Sequence, residues 1–166
     1  MTTPFDLMPD NARVWVYQSQ RALSNAEQEI IAKNTNAFLD QWAAHGKELK
    51  TSFEIRNDRF LIVAVDESFN QATGCSIDAS VAFMKAVDTE YKLDLFDRTK
   101  IAFIFNEQIV IESLGTLKAK VENGDIPSSA VLFNNAVSSK KELDEEWKQP
   151  VLKSWAGRYF KTLQQN

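Results

Sequence analysis

Residues Arg59 to Asp66 read RFLIVAVD, with six apolar positions in a row from Phe60 to Val65, and follow an alternating stretch, Thr51 to Arg56 (TSFEIR). A short β-branched run without alternation is a strand apolar on both faces, which has to lie inside a sheet covered on both sides. The alternating partner sets Phe53 and Ile55 apart from Ser52, Glu54 and Arg56, a pattern suited to a sheet edge. Asn57-Asp58 between the two supplies a two-residue hairpin turn. In such a hairpin residue 56 faces 59, and Leu49 consequently faces Asp66.

Two more strands are apolar on both faces: Arg13 to Gln18 (RVWVYQ) and Ile101 to Phe105, the latter turned by Asn106-Glu107 into Ile109 to Ile111. Ser24 and Glu27 form a capping box that opens a helix with Ala26, Ile30, Ala37, Phe38 and Trp42 on one stripe, widened by Ile31. His45-Gly46 is expected to close it, glycine as the left-handed cap and histidine favoured by the helix's negative end. A second helix runs from about Ile77 to Tyr91, with Ser76 as N-cap and Ile77, Val81, Met84 and Val87 inward. The order β-α-β-β-α-β-β predicts an α+β fold. The ferredoxin-like arrangement, a mixed or antiparallel five-stranded sheet in spatial order 2-3-1-4-5, puts the doubly apolar strands in the middle. Two helices cover one face, and C-terminal helices bearing Trp147, Trp155 and Phe160 are expected to cover the other. With 166 residues and no Gly-, Pro- or Ser-rich linker, residues 1–166 read as a single α+β domain.

Apolar residues at 44% and charged residues at 25% fit a soluble globular chain rather than a disordered one. The longest apolar run is far below a membrane span, and MTTPFDLMPD lacks the basic head and apolar stretch of a signal peptide. One cysteine makes no internal disulfide, so a cytoplasmic location without membrane insertion is expected. A net charge of −4 is poor equipment for binding nucleic acid. The charge is uneven, however. Residues 147–166 hold Lys148, Lys153, Arg158 and Lys161 and no acid, so this segment is +4 and the rest −8. Trp147, Lys153, Trp155 and Arg158 are therefore candidates for docking an acidic partner. The competing reading is a terminal helix that packs its aromatics inward and solvates its lysines.

The stretch Asp66 to Ser80, DESFNQATGCSIDAS, leaves the apolar strand, crosses a polar loop and enters the second helix with the only cysteine. Unpaired N–H groups and a partial positive charge at a helix entrance activate a thiol. Cys75 thus reads as a candidate nucleophile, with His45 as base and Asp66 or Glu67 as orienting group. The hairpin places His45, Asp66, Glu67 and the approach to Cys75 on one rim of the sheet, with Asn106-Glu107 joining them if strand 4 runs parallel to strand 3. The structural alternatives are a small apolar filler for Cys75 and a helix-end residue for His45. Asp97-Arg98 reads as a loop ion pair. No EF-hand spacing occurs, and one His with one Cys supplies no transition-metal cage, so neither a metal nor a cofactor is expected.

The wording AHGKELKTSFEIRNDRFLIVAVDESFNQATGCSID, with LDLFDRTKIAF and SWAGRYF, resembles a family of short uncharacterised bacterial proteins over nearly the whole chain. Members often carry the label "ABC transporter ATPase". An ATP-binding cassette needs a GxxxxGK[ST] loop to cradle phosphates. Here only Gly46 precedes a lysine, Lys47 is followed by Glu48, and position 41 is Gln, so the label is rejected: there is no P-loop. The resemblance implies no catalytic residues. A non-catalytic binding or regulatory module with a protein or small-molecule partner is the leading expectation. A thiol-dependent enzyme built on Cys75 and His45 is the alternative. A third reading, nucleic-acid stacking on Trp15, Tyr17 and Phe60 of an open sheet face, fits the acidic balance poorly.

Overall fold

The computed structural model describes residues 1–164, with side chains through Lys161. Its elements are β1 (Arg13–Gln18), α1 (Asn25–Gln41), β2 (Ala43–Ala44), β3 (Lys47–Glu48), β4 (Thr51–Arg56), β5 (Phe60–Val65) and α2 (Gly74–Tyr91). They continue as β6 (Lys100–Phe105), β7 (Gln108–Ser113), α3 (Leu117–Glu122), β8 (Val131–Phe133), α4 (Lys140–Glu146), β9 (Lys148–Pro150) and α5 (Arg158–Gln164). The chain is α+β, as its element order requires. Among the described residues no helix is long and apolar enough to cross a membrane.

The expected five-stranded sheet is not formed. The strands make three antiparallel sheets, β1-β5-β4, β2-β3 and β7-β6-β8-β9. Strands 2-3-1 of the expected order are present as β4-β5-β1, and the division falls between β1 and β6. β6 has no edge left for β1, because β7 takes one side along its whole length and β8 takes the other. By backbone proximity the chain divides into two compact units, Met1–Phe96 with Ala136–Asp144 and Asp97–Asn135 with Glu145–Asn166.

In the first unit one sheet face presents Tyr17, Leu61, Val63 and Val65 to Ile31 and Leu39 of α1 and Met84 and Val87 of α2. Each fully buried side chain of this kind contributes about 1.5–3 kcal/mol. The inward stripe of α1 is Ile31, Thr35 and Leu39, not the expected stripe led by Ile30, which is 46% exposed. α2 likewise turns Ser76 and Ser80 inward ahead of Met84 and Val87. Small polar residues that bond to their own helix, as Ser80 Oγ does to the Ile77 carbonyl at 2.7 Å, let the helices approach the sheet. The opposite sheet face carries Phe60, Ile62 and Ala64, all buried. Phe5, in a 3-10 turn packed on β4, receives the Arg56 guanidinium over its ring, 5.3 Å from the centroid.

The second unit has its own core of Phe103, Leu117, Val121, Ile126, Ala130, Leu132, Val151, Ala156 and Phe160. Within this unit the C-terminal aromatics are divided: Phe160 is in that core, Trp147 packs on Phe133, and Trp155 is exposed.

Candidate functional site

The rim of the first unit is assembled by three bonds between two segments. The Asp66 N–H donates to the Lys50 carbonyl at 2.9 Å, Asn70 Nδ2 to the Glu48 carbonyl at 2.7 Å, and Trp42 Nε1 to the Ser76 carbonyl at 2.8 Å. The segment holding His45 therefore runs beside the loop that leads to Cys75. The register behind this differs by one residue from the expected one: Arg56 faces Phe60, and Lys50 rather than Leu49 faces Asp66. The Arg59 N–H donates to the Arg56 carbonyl at 3.1 Å to close the turn while its carbonyl accepts from the Ser19 N–H, and the β4–β5 ladder starts at Phe60.

His45 does not cap α1. The helix ends at Gln41, and Ala43 to Glu48 form a small hairpin whose turn is His45-Gly46, both left-handed with φ of 51° and 74°. The imidazole sits exposed at that tip. α2 begins earlier than expected, with Thr73 as N-cap. The Thr73 hydroxyl accepts from the Ser76 N–H at 3.2 Å, and Ser76 Oγ accepts from the Thr73 N–H at 2.7 Å. Cys75 is thereby placed inside the first helical turn, exposed, and is no filler beneath the helix.

Both carboxylates of the expected relay are engaged in their own loop. Asp66, 5% exposed, accepts from the Ser68 N–H at 3.0 Å and from the Ser68 hydroxyl, and lies 3.7 Å from Lys50 Nζ. The Ser68 hydroxyl bond, aided by the Ser68 N–H and Lys50, holds its carboxyl below the usual carboxylate range. Glu67 accepts from the Ala72 N–H at 3.1 Å and faces Arg13 at 3.8 Å. Among the described residues, neither the Cys75 thiol nor the His45 ring makes a hydrogen bond or ion pair. Among the described residues no hydrogen bond or ion pair links His45, Asp66, Glu67 and Cys75 to one another. Asn106-Glu107 is a hairpin tip of a different sheet. Asp97 accepts from the Thr99 N–H and hydroxyl at 3.0 and 2.6 Å, a turn in place of the expected pair with Arg98. No three His, Cys, Asp or Glu side chains converge among the described residues.

The stacking platforms proposed for nucleic acid are not open. Phe60 is fully buried, Tyr17 is 8% exposed and meets Phe96 edge-on, and Trp15 meets Trp42 edge-on.

In the second unit the four docking candidates separate. Trp147 is 2% exposed and donates through Nε1 to Asn135 Oδ1 at 2.9 Å, so it is a core residue. Lys153, Trp155 and Arg158 are exposed. Two 3-10 turns, Val151–Lys153 and Trp155–Gly157, fold against each other so closely that a Cβ on Gly157 would lie 2.5 Å from the Leu152 carbonyl oxygen. This close approach displays Leu152 (45% exposed) and Trp155 (44%) together. Trp155 meets Tyr159 edge-on at 6.4 Å, and the Arg158 guanidinium lies 5.0 Å over the Tyr159 ring. Sequence reasoning counted Tyr159 among the aromatics of this segment but missed Leu152, whose signal was its place three residues before Trp155. No protein-family model, curated protein or solved structure matches the chain.

Proposed function

We propose that this protein is a non-catalytic cytoplasmic binding module that engages an acidic protein segment through Lys153, Trp155 and Arg158, with Leu152 and Tyr159 completing the surface. The observation that carries this reading is an exposed tryptophan three residues from an exposed leucine, with Lys153 and Arg158 exposed in the same stretch, 147–166, which holds no acid. Tryptophan and arginine dominate the energetics of protein interfaces, and grouped exposed apolar side chains mark docking sites. The test is a fluorescence titration with a Glu/Leu peptide and its Gln/Leu counterpart. The acidic peptide is expected to shift emission in the wild type and not in Trp155→Phe. Lys153→Glu with Arg158→Glu is expected to weaken binding at least about tenfold, and added salt to weaken it further. Equal response to both peptides, or to neither, rejects the reading.

A second reading keeps Cys75 as a nucleophile, supported by its exposure in the first turn of an 18-residue helix. It requires Cys75 to be alkylated at neutral pH at least about tenfold faster than glutathione. A rate equal to that of the free thiol ends it.

A further inference from the structure

Among the described residues, the outer edges of the two larger sheets are blocked in recognisable ways, with one exception. The outer edge of β1 is bridged at Arg13 by Ser139, and the Val14 N–H donates to the Ser138 carbonyl. β4 is met by Met1 to Thr3 at Thr51 and carries Glu54 and Arg56. β9 is three residues long and holds Lys148 and Pro150, the residues natural sheets use to blunt an edge. β7, at the other end of the same sheet, has six residues, QIVIES, with no lysine, proline, glycine or bulge, and pairs with β6 without interruption. Ile109, Val110 and Ile111 are only half-buried.

The turn fixes which backbone groups this edge offers. Asn106-Glu107 closes on the pair Phe105–Gln108, so Gln108, Val110 and Glu112 direct their N–H and C=O groups toward β6. The Leu114 N–H, which donates to the Thr99 carbonyl at 2.7 Å, confirms that parity. Ile109, Ile111 and Ser113 point theirs outward; among the described residues the Ser113 carbonyl accepts from the Thr116 hydroxyl at 3.2 Å and keeps a second lone pair, while nothing accepts or donates at Ile109 or Ile111.

We propose that β7 pairs antiparallel with β7 of a second copy of this chain, about a two-fold axis at Ile111. Only registers that set outward residues opposite outward residues form bonds, and the one centred on Ile111 uses all of them, about six hydrogen bonds. It places Ile109 opposite Ser113 and Val110 opposite Glu112, so no like charges meet. A shift of one hydrogen-bonded step toward Ser113 gives up that central pairing, and a shift toward Ile109 draws Glu107 into the ladder. The edge is thus complementary to itself, the requirement for an isologous dimer.

Sedimentation across the micromolar range is expected to show a concentration-dependent dimer. Ile111→Pro removes an outward N–H and no bond to β6, and is expected to abolish the dimer while keeping the circular dichroism of the folded chain, at the cost of part of a half-buried side chain. Val110→Pro, which removes a bond to β6, is expected instead to destabilise the sheet. Ile111→Cys on a Cys75→Ser background is expected to oxidise to a covalent dimer, since opposed residues at a hydrogen-bonded pair lie about 5.5 Å apart. A wild-type chain that stays monomeric, a dimer that survives Ile111→Pro, or an Ile111→Cys variant that does not cross-link overturns the proposal.

Discussion

Glu27 is the residue on which the start of α1 turns. It accepts from the Ser24 N–H at 3.0 Å and takes both arms of Arg21, at 2.6 and 2.9 Å. The Arg21 bond, with the Ser24 N–H behind it, lowers its carboxyl to about 2. A carboxyl lowered on folding stabilises the fold above its unfolded value near 4.5, and that contribution is lost as pH falls toward the folded value. Glu27→Gln keeps the capping geometry and removes the charge. It is expected to lower the melting temperature at neutral pH by an amount worth under about 1 kcal/mol, since solvent screens the pair. Melts at falling pH should show the gap narrowing below about pH 4.5 and closing near pH 2. A gap independent of pH would assign the effect to capping alone. The serine and glutamate of this cap were legible as S-x-x-E, because the motif is local. The Arg21 arm was not, because nothing local demands it. The same holds at the rim. Gly46 after His45 suits a helix end and a tight turn equally, and Thr73 and Ser76 are both good N-caps, so sequence put His45 on the wrong element and Cys75 outside its helix.

Three of the turns and packings described above are under steric load, and each makes a different demand. Asn57-Asp58 and Asn106-Glu107 both hold two left-handed non-glycine residues, with φ between 51° and 61°. A side chain in that region costs roughly 1 kcal/mol, which glycine avoids. Glu107 makes no side-chain bond among the described residues, so Glu107→Gly is expected to stabilise the protein by about 0.5–1 kcal/mol in urea unfolding. Asp58→Gly is expected to gain less, because Asp58 Oδ1 accepts from Gln28 Nε2 at 3.0 Å and that bond is lost. Gly157→Ala goes the other way: its methyl meets the Leu152 carbonyl, and a loss of about 2 kcal/mol is expected, together with weaker binding of the acidic peptide. Both hairpins were readable from their turn residues, yet the register of β4 on β5 was not. Alternation in β4 chooses its own inward face, but β5 is apolar on both sides and accepts a one-residue slip without exposing anything.

At the scale of the molecule, a doubly apolar strand announces that it is internal but not whose neighbour it is. β6 satisfies its pattern between β7, its expected hairpin partner, and β8, a three-residue strand outside the expected order, and the expected single sheet gives way to separate ones. The chain path adds a second feature that periodicity conceals: the first unit is discontinuous. After Phe96 the chain builds most of the second unit, then returns through Ala136–Asp144 to the first. The returning segment is structural there. The Val14 N–H donates to the Ser138 carbonyl at 3.1 Å, the Lys140 N–H to the Ala12 carbonyl and the Lys141 N–H to the Asp10 carbonyl, both at 2.9 Å. Ala12 is fully buried, as Val137 and Leu143 nearly are. Without this segment the β1 edge is open and the lead-in to β1 loses its partners, which ordinary burial makes worth several kcal/mol, roughly half a small domain's stability. A fragment of residues 1–96 is therefore expected to show weak amide protection in β1, while the same fragment carrying residues 136–144 on a flexible linker recovers it and melts higher. Hydrogen exchange at Val14 is the sharpest readout, since its N–H partner lies in the returning segment. Equal protection at Val14 in both fragments would make Ala136–Asp144 an ornament on a unit complete by residue 96.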